Sequence, residues 1–216
     1  MRYRRLGRTE WMVSEVGINL RALEGLDEAA SGATFGAAIA SGVTLVLVDV
    51  REHEGSVEPL VGRVMASERP RLAVVSRFER LAEASTFAAQ LLSAGGRLSK
   101  EGFLDIALFT QVPDPAQRAV LDELAGTRMV RAWGIETADA ALATQAFAAG
   151  ARVLVAAADA GEPLLAAAHA ADVGLIVKGD VAMIAVTLAD ARVASVAGEA
   201  TTAGEVDLLT RAALRG

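Results

Sequence analysis

The chain has no cysteine, a single tyrosine (Tyr3) and two histidines (His53 and His169). Disulfides, thiolate nucleophiles and cysteine-bound metals are therefore excluded, and two imidazoles are too few for a histidine-rich metal centre. Lysine is almost as scarce: of the 21 basic residues only Lys100 and Lys178 are lysines. A coding bias toward alanine, arginine and glycine accounts for that, and it makes each surviving lysine more informative. No apolar run approaches the roughly 18 residues of a membrane-spanning helix. The mean hydropathy of +0.37 reflects abundant alanine instead. The basic opening MRYRRLGRTE lacks the apolar stretch of a secretory leader. These absences predict a cytoplasmic protein with no membrane partner. A net charge of −6 and the lack of a Lys/Arg cluster beyond the first eight residues argue against nucleic acid as a partner.

What is present is an alternation. Short, apolar, β-branched runs are separated by alanine-rich stretches of helical period, the pattern of βαβ units around a parallel sheet. The strands are predicted at Val16–Leu20, Thr44–Val50, Arg71–Phe78, Phe103–Phe109, Met129–Ile135, Arg152–Ala157, Val173–Lys178 and Arg192–Val196. The intervening helices are predicted at Asp27–Ala40, Ser56–Ser67, Leu81–Gly95, Asp114–Ala125, Ala138–Ala148, Glu162–Ala171, Val181–Ala191 and Ala203–Leu214. Strands as continuously apolar as Val43–Val48 suit a sheet covered on both faces. Gly42, Gly150 and Gly174 each precede a strand, where a left-handed glycine would end the helix before it. No linker or change of composition divides the chain, which predicts one domain over residues 1–216. The units average about 27 residues, near the lower limit for a (β/α)8 barrel. The other α/β architecture, an open doubly wound sheet, calls for a glycine-rich turn after the first strand. Gly17-Ile18-Asn19-Leu20-Arg21-Ala22 does not supply one.

The segment from Tyr3 to Gly17, YRRLGRTEWMVSEVG, resembles the N-terminal hairpin of aldo-keto reductases, Y-R-x-L-G-x-T-G-L-x-V-S-x-I-G, with Glu10 where the family has glycine. Further similarities follow in order. Ser56 to Arg63 resembles the S-E-x-L-L-G-x helix. Asp105-Ile106 with Pro113-Asp114-Pro115 resembles the D-L-x-x-x-H-x-x-D-P strand, and Val130 to Ile135 resembles V-R-x-I-G-V. Val193 to Gly198 with Glu205-Val206 resembles the eighth strand and its cofactor-binding turn. The resemblance implies an α/β protein: a (β/α)8 TIM barrel shortened between Lys178 and Arg192, its bottom plugged by the hairpin.

It also implies a changed site. The family reduces carbonyls with an Asp, Tyr, Lys and His tetrad and NADPH. Laying its G-V-N-F-F-D-T-A-x-x-Y-G on Gly42 onward puts Leu47 at the aspartate and Glu52 at the tyrosine, while Arg77 takes the lysine position and Thr110 the histidine position. The carboxamide-holding Ser-Asn pair becomes Glu136-Thr137, the stacking tyrosine becomes Lys178, and a carboxylate, Glu199, stands where a basic residue grips the 2′-phosphate. The expectation is a degenerate redox site with NADPH binding weak or lost, and no cofactor.

Barrel enzymes work at the carboxyl ends of their strands. Here those ends carry Asp49, Glu52 and His53 after the second strand, Arg77 after the third, Thr110 and Gln111 after the fourth, Glu136 after the fifth and Lys178 after the seventh. Lys178, Glu52 and Arg77 are the catalytic candidates. A carboxylate beside His53 suits acid–base work, Arg77 suits an ion pair with Glu52 or Glu136 or a grip on an anion, and a desolvated Lys178 suits a Schiff base. The alternatives are a solvated loop for Glu52 and His53, and for Lys178 an ammonium that reaches solvent or pairs with Asp180. Asp49, His53, Thr110, Gln111 and Glu136 are candidate ligand-binding groups. Trp11 and Trp133 read as core fillers, and His169 as a surface residue. Three functions stay open: a non-redox barrel that binds or transforms a small anionic or carbonyl-bearing metabolite, a non-catalytic scaffold within a homo- or hetero-oligomer, and an NADP-dependent reductase.

Overall fold

The computed structural model describes residues 1–50, 61–63 and 68–214. An antiparallel hairpin comes first, β1 (Tyr3–Arg5) and β2 (Met12–Ser14). Eight parallel strands follow: β3 (Val16–Asn19), β4 (Leu45–Val50), β5 (Ala73–Phe78), β6 (Leu104–Phe109), β7 (Val130–Glu136), β8 (Val153–Ala157), β9 (Gly174–Lys178) and β10 (Val193–Glu199). They close into a barrel in chain order, β10 returning to β3 with Val196 opposite Val16 and Glu199 opposite Asn19. Around it lie α1 (Glu28–Ala40), α2 (Ala84–Leu98), α3 (Pro115–Gly126), α4 (Ala140–Ala148), α5 (Glu162–Ala170), α6 (Val181–Leu188) and α7 (Ala203–Ala213). The predicted helix Ser56–Ser67 lies largely outside the described residues, of which 61–63 are helical. Among the described residues no helix is long and apolar enough to cross a membrane.

Short βα turns end in polar caps that begin the helices on the carboxyl side of the sheet. Asp27 accepts from the Ala30 amide, Asp139 from Ala141 and Leu142, and Asp180 from Ala182 and Met183. Asp114 with Gln117, and Thr202 with Glu205, form reciprocal capping boxes. The strands bury both faces. Their outward side chains meet the helices in one core, which includes Phe35, Phe87 and Phe109. Their inward side chains form a second, with Leu45, Val75, Ile106, Val155 and Ile176 at its centre.

The hairpin closes the lower end of that inner core. Leu6 and Val13 are fully buried against it, each contributing roughly 1.5–3 kcal/mol. The expected barrel plug is therefore present, and its turn is made without a glycine at position 10: Gly7 takes the positive φ (+52°) and the Thr9 hydroxyl donates to the Leu6 carbonyl at 2.5 Å. Glu15 lies beneath the hairpin, 4% exposed, accepting from Nε of both Arg2 and Arg4 at 2.7 Å. Of the three glycines expected to end helices, Gly42 and Gly150 have positive φ, +87° and +106°. Gly174 does not. The left-handed residue before β9 is Asp172 (φ +49°), and Gly174 serves another purpose, since a Cβ there would lie 2.6 Å from Leu6 Cγ. Reciprocally, a Cβ on Gly7 would lie 2.2 Å from the Gly174 nitrogen. The two glycines let the hairpin and β9 touch backbone to backbone.

Asp105, in β6, joins three strands near the same end. It is fully buried and accepts from Arg69 Nη1 at 2.5 Å, the Val74 amide at 3.0 Å and Arg131 Nη1 at 3.1 Å. Burial pushes its carboxyl above the ordinary value, against the pull of Arg69, the Val74 amide and Arg131. Both guanidinium groups stack on Phe103, 4.4 and 4.1 Å from the ring centroid.

Candidate functional site

Strand alternation carries the inner column of side chains upward from the apolar core to the carboxyl end of the barrel. There the character changes. Leu47, Leu108 and Val155 make an apolar floor, and above it stand Asp49, Arg77, Glu136 and Lys178 from β4, β5, β7 and β9. Glu136 is the hub: Arg77 Nε donates to its Oε2 and Lys178 Nζ to its Oε1. Asp49 sits opposite Arg77 in register, with its Oδ1 3.7 Å from Arg77 Nη1. The four charges cancel.

Burial would push the Glu136 carboxyl up, but the hydrogen bonds from Lys178 and Arg77 and their charges outweigh it and hold the group below its ordinary value. Burial would likewise lower Arg77, and the Glu136 hydrogen bond, with the charges of Glu136 and Asp49, more than offsets it. Both therefore stay ionised at neutral pH. A carboxyl lowered in the folded state contributes stability above its unfolded pKa of about 4.3, and that contribution is lost as pH falls through the lower folded value. Glu136→Gln is expected to cost about 1 kcal/mol between pH 6 and 8, since Arg77 and Lys178 are partly solvated. The difference from wild type should shrink below about pH 4. Urea unfolding across that range measures it, and a difference that stays constant down to pH 3 would show that ionised Glu136 does not hold the cluster.

The cluster caps the barrel. The space enclosed under it is about 20 Å³, room for about one water molecule. Beside it opens a cleft of about 460 Å³, lined by Asn19, Arg21, Lys178, Asp180, Glu199 and Glu205. Asn19 Nδ2 donates to Glu199 Oε1 at 2.9 Å. At the start of α7 the Glu205 carboxylate accepts from the Thr201 amide at 2.7 Å, the Thr201 hydroxyl at 2.8 Å and the Thr202 amide at 3.2 Å. Those hydrogen bonds hold Glu205 below its ordinary value.

Of the residues singled out in the sequence, Arg77, Glu136, Lys178 and Asp49 come together. Arg77 takes the Glu136 partner foreseen for it, and Lys178 pairs with Glu136 and not with Asp180, whose carboxylate is engaged in capping α6. Thr110 and Gln111 are exposed in the loop after β6 and make no side-chain hydrogen bond among the described residues. Glu52 and His53 lie outside the described residues. His169 is exposed on α5, and Trp133 packs in the outer core 6.2 Å from Phe109. Asn19 and Arg21 were missed. Their signal was present, because Asn19 ends a barrel strand as Arg77 and Lys178 do, but that strand end was read only for a glycine-rich turn.

No family model matches the chain, and no curated protein does. Solved structures do. The chain is similar to the holo form of aldo-keto reductase AKR11C1 from Bacillus halodurans, with a TM-score of 0.88 at 16% identity over 98% of this chain and 90% of that one. It is similar to the putative aldo-keto reductase PA4992 from Pseudomonas aeruginosa, with a TM-score of 0.79 at 17% identity over 97% and 95% of the two chains. A thermostable aldo-keto reductase, Tm1743, solved in complex with the inhibitor epalrestat, gives 0.80 at 16% identity over 98% and 94%. The fold is that of the aldo-keto reductases, a closed eight-stranded parallel barrel behind an N-terminal hairpin.

Proposed function

We propose that this chain is a non-redox barrel that binds a small anionic or carbonyl-bearing metabolite at the charged cap of its mouth, where Arg77, Glu136 and Lys178 meet beside Asn19 and Arg21. Arg77 and Lys178 meet the ligand, and Glu136 is the internal counter-ion that keeps both in place. The observation that carries this reading is the Arg77–Glu136–Lys178 chain itself, built across the barrel mouth where the fold gathers residues for chemistry. A ligand carboxylate can take over hydrogen bonds now made to Glu136, while Asn19 and Arg21 line the approach. A carbonyl ligand could form a Schiff base only after the Lys178 ammonium had left Glu136 and lost its proton, so charge pairing is the first role assigned to Lys178.

Several features support a non-redox role. Leu47, at the family's aspartate position, is buried in the apolar inner core, and Thr110, at the histidine position, is exposed. The single tyrosine donates to the Gly42 carbonyl at the opposite end of the barrel. The residues present also do not fit the phosphates of a nicotinamide dinucleotide. Glu205 already occupies the Thr201 and Thr202 amides, and with Glu199 it would set two carboxylates against an anion.

Titration with NADPH, followed by tryptophan fluorescence and by calorimetric heat, is expected to show no saturable binding in the micromolar range. Micromolar affinity would overturn the non-redox reading. The scaffold alternative draws on the apolar side chains exposed on α6, α7 and beyond, where Val186 is 72%, Leu208 55% and Leu214 65% exposed. Under that reading Arg77→Ala and Lys178→Ala leave partner association intact, whereas a ligand-binding barrel loses its ligand.

A further inference from the structure

We infer that the lower end of the barrel, opposite the charged cap, carries a second site, for a phosphorylated small molecule, formed by Arg128, Arg131 and Arg152 beside Trp11. Barrel closure brings these residues around a cleft of about 320 Å³ whose lining is mostly polar. That volume exceeds what a phosphate alone needs, and the half-buried Trp11 indole gives an organic portion a planar surface.

The charge there runs against the rest of the molecule, whose net charge is −6. Arg131 is oriented by Asp105 and by stacking on Phe103, but Asp105 also serves Arg69 and so does not neutralise both. Arg128 and Arg152 make no side-chain hydrogen bond or ion pair among the described residues. Most other arginines near carboxylates are paired, as Arg77, Arg192 and Arg211 are. Glu10 is the one carboxylate on the lining and faces the same cleft, where it can accept from a ligand hydroxyl. Arg8 secures the hairpin to this rim, donating to the Ala151 carbonyl at 3.0 Å.

α3 ends with Arg128 N–H on the Ala125 carbonyl and Met129 N–H on Leu124, a C-terminal turn whose left-handed position usually belongs to glycine. Here that position holds Arg128, at φ +61°. The conformation is unfavourable for a side chain, and it delivers the guanidinium to the rim of the cleft. Three arginines that line one cleft, from two strand entries and a helix end, suit the several oxygens of a phosphate dianion better than a single carboxylate, which one fork would satisfy.

The test is calorimetric titration of the full chain with inorganic pyrophosphate and with inorganic phosphate at low salt. Wild type should bind pyrophosphate saturably, and added salt should weaken the binding. Arg128→Gln with Arg152→Gln should weaken it by about tenfold or more. Arg128→Gly should weaken binding while raising the melting temperature, because it relieves the left-handed backbone. The proposal fails if wild type shows no saturable binding below millimolar pyrophosphate, or if the double variant binds as wild type does. It also fails if Arg77→Gln with Lys178→Gln abolishes the binding, since the anion would then belong to the upper mouth. Because NADPH is itself phosphorylated, its titration is repeated on Arg128→Gln with Arg152→Gln: binding that survives there counts against the non-redox reading of the upper mouth, and binding lost there belongs to the lower site, so the two outcomes are separable.

Discussion

Asp105→Ala is expected to destabilise the fold by about 3–5 kcal/mol, the cost of leaving a buried charge without its partner. The charge is Arg69. It is 5% exposed, and its Nε and Nη2 have no hydrogen-bond partner among the described residues, so after the substitution it would keep, among them, the Leu72 carbonyl at 3.3 Å and the Phe103 ring. Arg131 suffers less, because at 43% exposure water replaces what Asp105 supplied. The size of the effect comes mostly from that stranded guanidinium, and a double variant shows it: Asp105→Leu with Arg69→Met removes both charges and should recover much of the loss. Recovery should stop short of wild type, since the Val74 amide still loses its acceptor. Urea midpoints of the three proteins decide the matter. If the double variant is as unstable as Asp105→Ala, the Asp105 contribution lies in strand bridging and not in charge pairing.

Gly174→Ala should have the next largest effect, about 1–3 kcal/mol from overpacking, with a further loss as the plug is displaced. The added methyl would lie 2.6 Å from Leu6 Cγ and 2.8 Å from the Leu6 carbonyl carbon, and a carbonyl carbon cannot swing aside as a side-chain tip can. The hairpin would have to back out, exposing part of Leu6. Since both changes then act on one contact, Leu6→Ala should cost less in the Gly174→Ala background than alone. Additive losses in thermal unfolding would show that β9 accommodates the methyl without moving the plug.

That pair of glycines also marks where reading the sequence reaches its limit. All eight barrel strands were legible from the alternation, because a parallel barrel buries both faces and so writes itself as short apolar runs. What local patterning could not tell was where pairing stops. β10 runs on through Ala197, Gly198 and Glu199, poor strand formers, because they lie opposite Gly17, Ile18 and Asn19 and complete the closure. α2 continues past Gly95, the predicted end, to Leu98, and the glycine serves close packing there, since a Cβ at Gly95 would meet the Gly102 carbonyl oxygen at 2.3 Å. Gly174 was assigned a helix-ending role that Asp172 fills, since the approach of Leu6 from the far end of the chain leaves no local trace.

The charged cap was legible by the same alternation. Arg77, Glu136 and Lys178 end inward columns of strands, and opposite charges in one ring had to meet. Thr110 stands one residue past the end of β6 and is exposed, so a count along the sequence did not bring it into that ring. The arginines of the lower cleft look like unrelated residues at the entries of β7 and β8, and they become neighbours only when the strands are set side by side.

The joining of β10 to β3 has one more consequence. A sheet that ends in free strands presents a row of unused amides and carbonyls on which another chain can template, and this barrel has none. Among the described residues, the only strands outside the ring are β1 and β2, three residues each. Strands that short offer an intruding segment too few rungs to grow a cross-β stack. In a chain in which 53% of residues are hydrophobic, the closed ring thus removes edge-to-edge strand pairing as a route to aggregation, for as long as the seam between its first and last barrel strands stays shut.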